Sequence, residues 1–122
     1  MDTPYSNYHA DFIPSLSNID EINDKLLSFE QGIIDIRADI QQKRLIIDTR
    51  TAIRGAFLRE IRNSPQNGFL KANLTPHLDA VIEEIAADWR EYNYSVAQLV
   101  RYLRVRELLW EQRDLALQNS TP

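Results

Sequence analysis

Apolar residues recur at helical spacing along most of the chain, and the first such stretch begins at a capping pattern. Asn18 is followed three residues later by Glu21, an arrangement typical of a helix N-terminus. From there the apolar residues follow a seven-residue, coiled-coil-like repeat. We therefore predict one long helix over residues 18–63, with a break at Gly32 as the alternative. The repeat is formed by Ile19, Ile22, Leu26, Phe29, Ile33, Ile36, Ile40 and Ile47.

A connection is expected over residues 64–75, because it opens with Ser-Pro-Gln-Asn-Gly, a strong turn sequence. Thr75 and Pro76 are then the residue types preferred at the N-cap and first position of a helix. The apolar spacing that follows predicts a helix over residues 76–92.

A last helix is expected over residues 95–118 after a short turn at 93–94. Ser95 and Gln98 match a capping box, in which the side chain of each residue accepts a hydrogen bond from the backbone N–H of the other. This helix and the one before it would form a helical hairpin. The expected core face of the last helix is Val96, Leu99, Val100, Leu103 and Trp110.

The first 17 residues read as an extended arm, because Pro4 and Pro14 disfavour a regular helix. The arm is nevertheless rich in apolar side chains, and aromatic anchors on an extended strip suit docking into a groove on a neighbouring subunit. The predicted docking residues are Tyr5, Tyr8, Phe12 and Ile13.

The fold class is therefore all-α: an extended arm (residues 1–17), a single helical domain (18–118) and a short tail (119–122). At 1.5 Å per residue the long helix would extend about 68 Å, and the two later helices only roughly 26 and 33 Å. A hairpin of that length could not cover the whole long helix. We therefore expect another subunit to cover the isoleucine-rich repeat, which becomes the predicted oligomer interface.

Composition narrows the function classes. The 122 residues suffice for one domain, carry a net charge of −4, and include no cysteine, which excludes disulfides and thiolate chemistry. No apolar run approaches the ~20 residues of a membrane span, and the N-terminus lacks the features of a signal peptide. We expect a cytoplasmic or virion-associated protein that is not secreted by a signal peptide and has no membrane partner.

Signals for catalysis and ligand binding are weak. The two histidines, His9 and His77, have no carboxylate or histidine at a spacing that would bring metal ligands together on a helix. Phosphate-binding loops and nucleophile motifs are also missing from the sequence. We therefore expect no catalytic residue, metal site, cofactor or small-molecule ligand, and a protein that is not an enzyme.

Nucleic-acid binding is the alternative. A hairpin over residues 75–117 would have the outline of a helix-turn-helix, with Gln98, Arg101 and Arg104 as base or phosphate contacts. The acidic balance of the chain and of the preceding helix disfavours this hypothesis. The favoured interpretation is a non-enzymatic assembly subunit of a larger complex, such as a virion, whose partners are copies of itself, other protein subunits or both.

Overall fold

The structure is a computed structural model that describes residues 18–119. Two long helices account for nearly all of these residues: α1 spans Ile19–Asn63 and α2 spans Gly68–Asn119. The described part of the chain contains no strand, and the two helices pack against each other. The expectation of an all-α fold is confirmed.

Helix α1 has the bounds and the cap that the sequence predicts. The Asn18 side-chain oxygen accepts a hydrogen bond from the backbone N–H of Asp20 at 2.8 Å, which satisfies one of the free donors of the first turn. The helix continues through Gly32, where the backbone keeps a negative φ. It ends at Asn63, and the chain turns at once through residues 64–67.

Helix α2 is a single helix of 52 residues, so the predicted connection over 64–75 is too long. The turn sequence lies where a turn is predicted, but Asn67 already caps the next helix: its side chain accepts a hydrogen bond from the Leu70 backbone N–H at 2.9 Å. Thr75 is not a cap, because its hydroxyl donates to the Lys71 carbonyl one turn earlier, at 2.7 Å. Pro76 lies inside the helix rather than at its start.

The predicted turn at residues 93–94 is also wrong, because α2 runs through it without interruption. Ser95 is fully buried, and its hydroxyl donates to the Asp39 carboxylate of α1 at 2.9 Å. The Ser95 side chain therefore bonds the opposite helix instead of capping its own. The separate helices over 76–92 and 95–118 do not exist.

The chain divides into two compact units, each built from a segment of α1 and a segment of α2. The terminal unit comprises residues 18–39 and 95–119, and the turn unit comprises residues 40–94. In the terminal unit Glu30 contacts Arg106 and Asp39 contacts Ser95, so the two segments are antiparallel. Its buried apolar side chains are Ile22, Leu26, Phe29, Ile33, Ile36, Tyr102, Val105 and Leu109.

The turn unit has far fewer buried apolar side chains. Among its described residues only Ile47 and Ile85 are buried apolar residues. Arg50 reaches across to α2, where its guanidinium lies 2.6 Å from a carboxylate oxygen of Asp88 and 3.3 Å from one of Glu84. Polar pairing thus replaces part of the apolar packing between the two segments of this unit.

Gly32 and Tyr102 approach each other closely where the two helices of the terminal unit pack. Gly32 is buried, and a Cβ atom built on it would lie 2.6 Å from the Tyr102 ring carbon Cε2 and 3.1 Å from Cδ2. Real Cβ atoms do not come this close to other heavy atoms. The absence of a side chain at Gly32 is therefore what allows the Tyr102 ring to lie against α1, beside Phe29.

We expect Gly32→Ala to destabilise the protein although the residue lies in a regular helix. Helix propensity favours Ala by about 1 kcal/mol, but overpacking against the Tyr102 ring costs about 1–3 kcal/mol. Gly55→Ala is the matched control, because the only neighbour of its new Cβ is Arg59 Nη1 at 3.9 Å. It should stabilise by up to about 1 kcal/mol.

Urea unfolding at one fixed protein concentration measures both effects. In a Tyr102→Ala background the cost of Gly32→Ala should shrink, since the ring is gone. If Gly32→Ala stabilises the protein as much as Gly55→Ala does, the close approach at Tyr102 is wrong.

Candidate protein-binding surface

The face of α2 that packs on α1 in the terminal unit differs from the one that hydrophobicity predicts. The buried residues are Ser95, Gln98, Tyr102, Val105 and Leu109. Four of the five apolar residues predicted as the core, Val96, Leu99, Leu103 and Trp110, each follow a buried residue directly, which rotates them by 100° around the helix. The fifth, Val100, is 52% exposed. As a result α2 carries an apolar stripe beside the partly polar one that is buried against α1.

The second stripe of α2 has a counterpart on α1. Leu27 and Ile34, seven residues apart, are 70% and 58% exposed. Helical-wheel geometry places them on the side of α1 where Glu30 meets Arg106, which is also the side of the second stripe on α2. We name this surface the second face; it consists of Leu27, Ile34, Val96, Leu99, Leu103 and Trp110.

The members of the second face on α2 are partly accessible. Val96, Leu99 and Leu103 are half-buried at the edge of the helix pair, and Trp110 is 38% exposed. A partly exposed Trp is a common anchor at protein interfaces. On a helical wheel they lie on the same side of the terminal unit as the two exposed residues of α1, with the Glu30–Arg106 pair between the two sets.

Arg106 lies in the middle of this surface and joins its two halves. Its Nη1 donates to both carboxylate oxygens of Glu30 at 3.3 Å, and its guanidinium carbon lies 4.7 Å from the centre of the Trp110 ring. The first contact crosses to α1 and the second is a cation–π contact along α2. Arg106 thereby holds the Trp110 ring in place at the rim of the second face.

Sequence reasoning missed Leu27, Ile34 and Arg106 as members or supports of a surface. The available signals were the seven-residue spacing of Leu27 and Ile34 outside the main repeat, and the four-residue spacing of Arg106 and Trp110 on one helix. Neither spacing predicts on which side of a helix pair these residues lie, because that depends on how α2 is rotated about its own axis relative to α1.

The isoleucine-rich repeat of α1 is covered within the chain, whereas the predicted helix lengths leave it exposed. Six of its eight residues are buried within the single chain, while Ile19 and Ile40 are half-buried. Helix α2 is one helix of 52 residues, whereas the sequence predicts two shorter helices folded into a hairpin. The reason for assigning a second subunit to this repeat is therefore wrong; the buried residues are Ile22, Leu26, Phe29, Ile33, Ile36 and Ile47.

The other predicted site residues fall into two groups. The docking residues Tyr5, Tyr8, Phe12 and Ile13 lie outside the described residues. The alternative nucleic-acid contacts were Gln98, Arg101 and Arg104. The structure does not bring these three onto one surface.

Gln98 is buried in the helix pair, whereas Arg101 and Arg104 are exposed. The helical hairpin that should present them does not exist, because α2 is continuous. Among the basic residues of α1, Arg50 is paired with Asp88 and Glu84. The geometry of a helix-turn-helix is thus not present in residues 18–119.

Groups of three or more potential metal ligands do not occur within residues 18–119, and no helix there is long and apolar enough to cross a membrane. A surface depression of about 490 Å³ is lined by a single stretch of α2 from Ala80 to Arg90. A ligand in it would be covered from one side only.

No family model, curated protein or solved structure matches this chain.

We expect Ile36→Ala to destabilise the fold by about 2–5 kcal/mol, as is typical for deleting a fully buried side chain. Ile53→Ala is the matched control on the same helix; this isoleucine is 41% exposed, and its truncation should cost less than about 1 kcal/mol. Chemical denaturation followed by circular dichroism measures both. Equal losses for the two variants would contradict the burial of the repeat within one chain.

Proposed function

We propose that this protein is a non-enzymatic assembly subunit, which works by packing helices of further protein chains against its second face in a coiled-coil-like manner. The observation that carries the proposal is the two-striped character of α2 in the terminal unit. One stripe packs on α1, and the other leaves Val96, Leu99 and Leu103 half-buried and Trp110 38% exposed. Exposed apolar stripes of this kind usually mark an interface with another protein.

The chemistry of the second face supports a protein partner over other ligands. It combines aliphatic side chains with a Trp at the rim, and its central charges, Glu30 and Arg106, already neutralise each other. A nucleic acid would require an excess of positive charge instead. Partners in a larger complex, such as a virion, remain part of the proposal.

We expect a photo-reactive phenylalanine in place of Leu103 to form covalent adducts with protein chains when the full-length protein is irradiated in extracts of its source. The same residue in place of Arg101 is the control, because Arg101 is exposed but lies about 160° away around α2. Adducts would be read as mass-shifted bands, with copies of the chain and other proteins both counted. The proposal would be contradicted if position 103 gave no protein adducts, or if position 101 gave adducts in the same yield.

The N-terminal arm enters the proposal as a second contact with neighbouring subunits. Its support is its sequence, which places Tyr5, Tyr8, Phe12 and Ile13 between two prolines. We expect deletion of residues 1–16 to leave helix content and the melting transition nearly unchanged, and to weaken assembly beyond the first association step. Circular dichroism and sedimentation velocity measure the two effects. Loss of folding, or unchanged assembly, would contradict a docking role for the arm.

A further inference from the structure

The turn between α1 and α2 contains an asparagine side chain that can react with the backbone next to it. Asn67 is followed by Gly68, and both residues are exposed. In an Asn-Gly pair the glycine nitrogen can attack the side-chain carbonyl of the asparagine and close a five-membered ring, and no Cβ atom of the glycine hinders its approach. Asparagine is a thermolabile residue, and this neighbour makes it most reactive.

The surroundings of Gly68 leave room for this attack. Beyond the neighbouring backbone, no heavy atom of the described chain lies within 4 Å of a Cβ built on Gly68. Gly68 is also the first residue of α2, and the first N–H groups of a helix have no carbonyl acceptor within that helix. The nitrogen that must attack is therefore not held in a helical hydrogen bond, and the space beside its Cα is open.

Other asparagines of the protein serve as comparisons. Asn18 is the best match, because it caps α1 as Asn67 caps α2. The residue after it is Ile19, however, whose branched Cβ crowds the backbone nitrogen. Asparagines inside the helices are protected, because the next N–H along the chain donates to a carbonyl one turn earlier. These protected residues are Asn23, Asn73 and Asn93.

The folded chain restrains Asn67 through the cap of α2. The side-chain oxygen accepts a hydrogen bond from the Leu70 N–H at 2.9 Å, and the backbone N–H donates to the Ser64 carbonyl at 3.0 Å. The ring closes only when the side chain turns away from Leu70 toward the Gly68 nitrogen, so the reaction requires the first turn of α2 to open. This opening breaks few apolar contacts, because residues 65–69 are all exposed, Phe69 by 78%.

We propose that Asn67 and Gly68 form a self-modification site, at which spontaneous deamidation converts the asparagine cap of α2 to aspartate and isoaspartate. The Gly68 nitrogen loses its proton and bonds to Cγ of Asn67, and the side-chain nitrogen leaves with that proton as ammonia. Water then opens the resulting succinimide at one of its two carbonyls. Cleavage of the new bond leaves aspartate, and cleavage of the original peptide bond leaves isoaspartate. The inference goes beyond the proposed function and does not depend on it.

The two products affect the cap of α2 in opposite ways. An aspartate at position 67 accepts the Leu70 N–H as the amide does, and its negative charge is favourable at a helix N-terminus. In isoaspartate the main chain runs through the side-chain carbon. The former backbone carbonyl of Asn67, which accepts the Lys71 N–H at 3.2 Å, then becomes a carboxylate outside the main chain. The first turn of α2 should therefore fray in the isoaspartate form.

Peptide mapping of the full-length protein tests the proposal. After storage in warm, mildly alkaline buffer, the tryptic peptide 63–71 should gain about 1 Da at Asn67, the difference between an amide and an acid. A protein isoaspartate methyltransferase should label the same peptide, because opening of the succinimide places isoaspartate there. Conversion at Asn67 should exceed conversion at Asn18 by about tenfold, since glycine replaces a β-branched residue after the asparagine.

Gly68→Ala is the matched control, because its Cβ has open space and Gly68 has no positive φ. Circular dichroism should show unchanged helix content, whereas conversion at Asn67 should slow by about tenfold, since the added methyl group crowds the attacking nitrogen. Asn67→Asp is the reference for the aspartate product. Its melting temperature should equal or exceed that of the parent protein.

The free peptide 63–71 measures the restraint that the fold imposes. It should convert faster than the folded protein, because no cap has to open first. Complete protection of Asn67 in the folded protein, while the peptide converts, would refute the site. A folded protein that converts as fast as the peptide would contradict the restraint by the cap.

Two further outcomes would overturn the proposal. Equal conversion at Asn67 and Asn18, or in Gly68→Ala and the parent protein, would show that the Gly68 nitrogen does not attack. Aspartate without isoaspartate would assign the change to direct hydrolysis of the side-chain amide by water. Each of these results leaves the proposed function untouched, because the second face contains neither Asn67 nor Gly68.

Discussion

The close approach of Gly32 and Tyr102 determines how α2 is rotated on α1 in the terminal unit. The Tyr102 ring occupies the space that a side chain at position 32 would fill. Because Tyr102 points inward, Leu103 is turned by 100° toward the outside, and the rest of its stripe turns with it. One missing side chain on α1 thus decides which apolar residues of α2 form the core and which remain available to another chain.

The sequence predicts α1 well because each of its signals is local. Asn18 caps the first turn, the seven-residue repeat marks the inner face, and turn residues follow Asn63 directly. The same kind of signal predicts a false break in α2, because Thr75 and Ser95 are residue types typical of caps while their hydroxyls donate to the Lys71 carbonyl and the Asp39 carboxylate. These alternative partners become visible only in the folded chain, and tertiary contacts outweigh the local preference.

The candidate surface was equally hard to assign, because the inner face of α2 includes polar residues. Ser95 and Gln98 are buried, whereas the more apolar Val96 and Leu99 are not fully covered. Hydrophobicity alone therefore selects the outer stripe as the core. The sequence pattern shows which residues of α2 are apolar. It does not show which of the two faces of α2 packs on α1, because that depends on the steric fit at Gly32.

The sparse core of the turn unit has a kinetic consequence. Pairs near the turn close short loops: Phe57 stacks on His77, only 20 residues further along the chain. The Glu30–Arg106 contact closes a loop of 76 residues, at a higher cost in chain entropy. The contacts that close the shorter loops are thus in the turn unit, which has fewer buried apolar side chains than the terminal unit. Early pairing at the turn should therefore be short-lived, and productive folding should depend on contacts of high sequence separation such as Glu30–Arg106. Amide protons of the turn unit should accordingly exchange with solvent through local opening before those of the terminal unit.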